Sequence, residues 1–199
     1  MVAAALVLYG VWFVLAFGAR TVVQVRRTGD SGFKGLGGRP GSLEWLAGVL
    51  FTVALVVGVA APAVALAGLD PIDALDAAWV AWTGAGMASI GVVATLGAQL
   101  SMGDSWRIGV DKDERTDLVT GGAFMVVRNP IFSAMLLTAV GLALMVPNVL
   151  AVVGLMALVV ALELQVRGVE EPYLATVHGE SYSSYRRRAG RFIPRVGRP

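Results

Sequence analysis

Five apolar runs, separated by polar stretches, divide the chain. Residues 2–19 hold no charge, and at about 1.5 Å rise per residue such a run reaches across a bilayer core. No basic stretch precedes the run, as one would in a cleaved signal peptide, so it is expected to be a retained span. The second run, 43–69, is predicted to be a helix capped by Ser42, with Glu44 near the positive end of its dipole and Pro62 kinking it. The third, 77–100, carries Gly84, Ala85, Gly86, Ala88, Ser89, Gly91, Ala94 and Gly97. The four-residue spacing of Gly84 and Ala88 predicts close helix packing in lipid; a groove that admits a lipid chain is the alternative. Residues 131–146 and 149–166 flank Pro147-Asn148, a turn pair, and read as a helical hairpin. Each arm is short for a full crossing, so the hairpin is expected to tilt and bring both of its ends to one side.

Composition settles the class. With 56% hydrophobic and 15% charged residues and a mean hydropathy of +0.72, the chain lies outside ordinary soluble composition. The expected fold is all-α, a polytopic membrane protein of about five transmembrane helices. It is expected to form a single domain over 1–199, with three spans in 1–100 and the remainder, 101–199, including the hairpin 131–166. Cysteine is absent and His178 is the only histidine, which removes disulfides, thiolate chemistry and a multi-histidine metal site. Neither a metal nor a nucleic-acid partner is expected.

Charge distribution orients the spans. All sixteen Lys and Arg residues fall at 20–39, 107–128 and 167–198, while the loop with Asp70, Asp73 and Asp76 has none. The positive-inside rule then puts the N-terminus outside and the C-terminus in the cytoplasm, in the plasma (inner) membrane. The glycine-rich stretch 28–42 reads as a flexible connection, since no GK[ST] follows its glycines. Residues 101–130 read as an interfacial segment of mixed charge anchored by Trp106.

The hairpin topology carries the candidate chemistry. It makes neighbours of Arg128-Asn129-Pro130 before it and Glu170-Glu171 after it. Pro130 suits a first helical turn and biases Asn129 away from helical geometry. Two arrangements satisfy these residues: a salt-bridged helix cap, or a site for a polar ligand. S-adenosylmethionine suits the second, with an ammonium and sulfonium for carboxylates and aromatic faces and a carboxylate for Arg or a backbone amide. Tyr182 and Tyr185 share a helix face, as packing residues or as a lid. His178 is either a solvated loop histidine or a general base. Arg186, Arg187 and Arg188 read as an anchor to anionic lipid head groups. Glu163 and Arg167 have the spacing and order of a helical ion pair.

Gly122, Phe124, Arg128-Asn129-Pro130, Glu170-Glu171, Tyr182, Tyr185 and Arg191-Phe192-Ile193-Pro194 follow one another in an order that resembles the isoprenylcysteine carboxyl methyltransferase and phospholipid methyltransferase superfamily. The resemblance implies a methyltransferase that uses S-adenosyl-L-methionine on a lipophilic or amphiphilic acceptor, with membrane lipids around it. It also implies a cytoplasmic cofactor pocket built from Gly121, Gly122, Phe124, Arg128, Asn129, Pro130, Glu170, Glu171, His178, Tyr182 and Tyr185. Glu170 and Arg191 are then the candidate catalytic residues. Asn129 stands where many relatives have histidine, which keeps hydrogen bonding and removes ring stacking. Two other classes remain: an NADPH-dependent membrane enzyme like the sterol reductases, and a noncatalytic membrane scaffold.

Overall fold

A computed structural model describes residues 1–32, 37–103 and 117–199. Trp106, the charged cluster 107–115 and Gly35 lie outside the described residues. Six helices carry the described chain. They are α1 Val2–Thr28, α2 Leu43–Leu66, α3 Ala78–Met102, α4 Pro130–Met145, α5 Val149–Gln165 and α6 Glu171–Arg188. A π turn, Val166–Glu170, joins α5 to α6 without a break. The helices α1, α2, α3 and the continuous α5–α6 are long and apolar enough to cross a membrane, and α4 is a shorter apolar helix. The molecule is a helical membrane protein.

Local signals fix the ends of these helices. The Ser42 hydroxyl accepts from the Trp45 amide at 3.2 Å and starts α2. Pro130 occupies the first turn of α4, where no amide hydrogen is needed. Asn148 starts α5 by accepting from the Ala151 amide at 2.9 Å, and its buried Nδ2 donates to the Ala61 carbonyl at 3.0 Å, pinning the hairpin turn to α2. The hairpin arms therefore begin and end within a residue of their predicted limits. The first helix does not stop at residue 19: a π turn, Val14–Ala19, carries it on to Thr28. Gln99 on α3 donates to the Ala16 carbonyl within that turn at 2.9 Å.

Helix α3 packs on α4, and α2 on α5. Small residues make the first contact close: a Cβ on Gly84 would lie 2.5 Å from the Gly141 carbonyl oxygen and 2.8 Å from the Met145 amide nitrogen. Ala88 is fully buried against the same helix. Gly84, Ala88 and Gly91 thus form a packing face closed by α4, while Gly86, Ser89, Ala94 and Gly97 are exposed. The opposite face of α3 presents Trp79, Trp82, Ile90, Val93 and Leu100 outward, as a lipid-facing surface requires.

The two ends of the bundle are distinct. At one end the Ile72 amide donates to the Pro147 carbonyl, and Ala5 packs with Met145 and Val146. At the other, buried Arg20 donates to the Gly103 carbonyl at the C-terminus of α3, where the helix dipole favours a cation. The candidate site lies at this second end.

Candidate functional site: an arginine–glutamate–arginine cluster at the hairpin mouth

The segment after α6 folds back across the mouth of the hairpin. The Arg128 amide donates to the Gly190 carbonyl at 2.7 Å, the Gly190 amide to Val126 at 3.3 Å and the Asn129 amide to Arg191 at 3.1 Å. Asn129 Nδ2 also donates to the Arg191 carbonyl, and the Ser133 hydroxyl donates to the Phe192 carbonyl at 2.7 Å. Gly190 allows this turn because a Cβ there would strike the backbone of Ile193 and Arg195. Residues 189–197 form a strap, and Phe192 seats it on Ala54, Leu158 and Leu162 between α2 and α5.

Beneath the strap the predicted neighbours meet. Glu171 receives Arg128 Nη2 at 2.8 Å on one oxygen, and Arg191 Nε and Nη2 at 2.9 Å each across both. The three side chains are 2%, 10% and 15% exposed for Arg128, Glu171 and Arg191. Arg128 donates further to the carbonyls of Ala189 at 2.6 Å, Gly197 at 3.0 Å and Arg186 at 3.3 Å. One guanidinium thereby joins the loop before α4, the start of α6, the end of α6 and the strap. The planar five-donor fork of arginine makes this possible, and lysine has no equivalent.

The electrostatics follow. Burial pushes the Glu171 carboxyl upward, but hydrogen bonds from Arg191 and Arg128, with their charges, outweigh it and hold the group below its ordinary value. Arg191 is raised, chiefly by its bond to Glu171. Two arginines on one glutamate leave the cluster with a net positive charge.

Around this cluster, Phe124, Tyr182, Tyr185 and Ala189 form a buried apolar group. The Tyr185 hydroxyl donates to the Phe124 carbonyl at 2.7 Å, so the short helical turn Gly122–Met125 is fixed to α6. Burial first, then the Glu171 charge, pushes the Tyr182 hydroxyl up to about 12, so it stays neutral at working pH. Gly121 and Gly122 are exposed at the start of the same turn. Glu170 ends the π turn, and Gln165 Nε2 donates to it at 3.2 Å. His178 sits half-buried just before Gly179, where α6 kinks at φ 51°, and no hydrogen bond links it to the cluster. Glu163 and Arg167 pair across one turn as their spacing predicts.

The structure thus brings Arg128, Asn129, Pro130, Glu171, Arg191, Phe124, Tyr182 and Tyr185 into one contact network. Glu170, Gly121 and Gly122 stand at its rim, and His178 stands apart. Sequence reasoning missed Gln165, Ser133 and the strap carbonyls. Carbonyl partners leave no mark on residue identity, but the five-residue spacing of Gln165 and Glu170 becomes a contact only once a π turn is known.

Among the described residues no group of three or more His, Asp and Glu gathers as metal ligands would. A family model for phospholipid methyltransferase matches residues 79–181. The match runs from α3 into α6 and includes Gly121 to Pro130 and Glu170-Glu171, while Tyr182, Tyr185 and Arg191 lie beyond it. No curated protein matches the chain. Because the matched stretch covers more than half of the chain and holds the hairpin with both of its polar ends, this protein belongs to the phospholipid methyltransferase family.

Proposed function

We propose that the protein transfers a methyl group from S-adenosylmethionine to a lipophilic or amphiphilic acceptor at the cytoplasmic face of the membrane. One observation carries the reading: within a methyltransferase-family chain, the loop before the hairpin and Glu171 after it meet in a buried, positively charged cluster at the hairpin mouth.

The donor set fits the cofactor. The net positive cluster favours its carboxylate, Glu170 at the rim favours its ammonium and sulfonium, and exposed backbone at Gly121 and Gly122 admits a flat ring system. When bound, S-adenosylmethionine supplies an electrophilic methyl group on sulfur. The protein's part is alignment, since displacement in line needs the acceptor, methyl and sulfur held on one axis. In this reading Arg128 and Glu171 are positioning residues: they hold the strap and set Arg191 over the mouth, where it meets the acceptor. Glu170 contacts the cofactor and is placed by Gln165. For an acceptor that must lose a proton, Glu170 and His178 are the remaining bases, because Tyr182 is held neutral.

Binding of S-adenosylhomocysteine to the purified protein tests this directly. Binding should be measurable, and Glu170→Ala should weaken it by about 1–3 kcal/mol without lowering thermal stability. Binding of NADPH in its place would establish the reductase reading, and affinity for neither would leave a scaffold.

A further inference from the structure

Beyond the proposed reaction, the outer surface of α6 and the strap has a binding feature of its own. From Ser181 onward the sequence holds six arginines and no acid. Glu171 takes up Arg191, and Glu180 pairs with Arg187 at the surface, 3.0 Å apart. Arg188, Arg195 and Arg198 are exposed. A basin of about 350 Å³ lies between α6 and the end of the strap, lined by Ser183, Arg186, Arg187 and Pro199. Arg186 is half-buried, and its Nε is enclosed without an acceptor.

The strap also carries apolar surface. The strap exposes Ile193, Pro194 and Val196, and the loop hydrogen-bonded to it exposes Met125 and Val126. Water-facing protein seldom pairs such a patch with uncompensated arginines. At the rim of a membrane-spanning bundle the combination matches its surroundings: hydrocarbon on one side, phosphate groups on the other.

We infer that this basin binds the phosphate of an anionic phospholipid, with Arg186 and Arg187 as donors. Ile193 and Val196 then lie against the acyl chains. A planar guanidinium with two parallel donors suits a phosphate oxygen pair, and Arg186, which has no acid paired with it among the described residues, disfavours the ammonium of a zwitterionic head group although Glu180 compensates Arg187. Arg128 binds the backbone carbonyls of Arg186 and Ala189. A lipid that fixes Arg186 therefore also steadies the turn that closes over the Arg128–Glu171–Arg191 cluster.

The test uses the full chain in nanodiscs of phosphatidylcholine, alone or mixed with phosphatidylglycerol. Retained lipids are counted by native mass spectrometry after transfer to detergent, and unfolding temperatures are recorded in each disc. Phosphatidylglycerol should be retained in preference and should raise the unfolding temperature. The Arg186→Gln/Arg187→Gln double variant should lose that preference, on the order of fivefold per arginine. Arg186→Lys/Arg187→Lys, which keeps the charge, should retain most of it, and Arg167→Gln should leave it unchanged. Equal retention of both lipids, or a preference that survives the double glutamine variant, would overturn the assignment. Inorganic phosphate that stabilises the protein as well as phosphatidylglycerol does would overturn it too, leaving a site for a soluble phosphate. None of these readouts needs turnover, so failure here is distinguishable from failure of the methyl-transfer reading.

Discussion

At the scale of single residues, Glu171 is the side chain with the largest consequence. Removing one partner from a buried charge pair leaves the others uncompensated, at a cost of about 3–5 kcal/mol. Glu171→Gln should therefore lower stability near neutral pH by that amount, whatever ligand the site holds. The pH dependence sharpens the expectation. A carboxyl whose folded value lies below its unfolded one contributes stability that is fully present above the unfolded value and is lost as pH falls through the folded one. Unfolding curves of the parent protein and of Glu171→Gln should thus converge as the medium is acidified below the ordinary carboxylate range. Curves that remain parallel would show that ionisation of Glu171 is not what holds the cluster. Arg128→Lys should resemble Glu171→Gln, because an ammonium cannot reach Glu171 and three carbonyls on different segments at once.

Helices show how much of this architecture was readable beforehand. Ser42 announces a helix start because a side-chain oxygen satisfies an otherwise unpaired amide, a local effect with a local signature, and Asn148, legible only as a turn residue, caps α5 in the same way. The meeting of Arg128 with Glu171 was legible from topology alone, since a hairpin returns its ends to one place. The π turns at Val14–Ala19 and Val166–Glu170 were not, because an extra residue in a helical turn changes neither composition nor periodicity enough to register. The strap was hidden for a related reason: its hold on Arg128 and Asn129 runs through main-chain carbonyls. The small residues of α3 predict a packing face, with a groove as the alternative, and α4 lies against Gly84, Ala88 and Gly91. That contact yields a prediction with its own control. Gly141→Ala places a Cβ against the backbone of Gly84 and Ala88, and overpacking of this kind costs about 1–3 kcal/mol. Gly86→Ala, on the same helix pair but with no atom within 4 Å of the new Cβ, should be neutral or slightly stabilising. Thermal unfolding in detergent compares the two, and equal effects would mean that α3 and α4 are not held by close approach at Gly84 and Gly141.

For the whole molecule, the two ends of the bundle can be assigned without reference to a ligand. Ile72 bonded to Pro147, and Ala5 packed with Val146, gather the loop between α2 and α3, the hairpin turn and the start of α1 at one end. Arg20 bonded to Gly103, together with the strap across Arg128, gathers the later part of α1, the end of α3 and the start of α4 at the other. Every arginine of the described residues belongs to the second end, while the first carries Asp70, Asp73 and Asp76. From such one-sided placement the positive-inside rule expects the second end in the cytoplasm, and that is the orientation we propose. The chain also lacks cysteine, so single cysteines can be introduced without removing native ones. Cysteines at Asp73 and at Ala3 should react with a membrane-impermeant maleimide added to intact cells. Cysteines at Asp30, Arg188 and Arg198 should react only after the membrane is opened. Labelling at Asp73 only after lysis would invert or break the five-segment arrangement. It would also put the Arg128–Glu171–Arg191 cluster on the face away from cytoplasmic S-adenosylmethionine, so this one measurement bears on both the topology and the chemistry proposed for it.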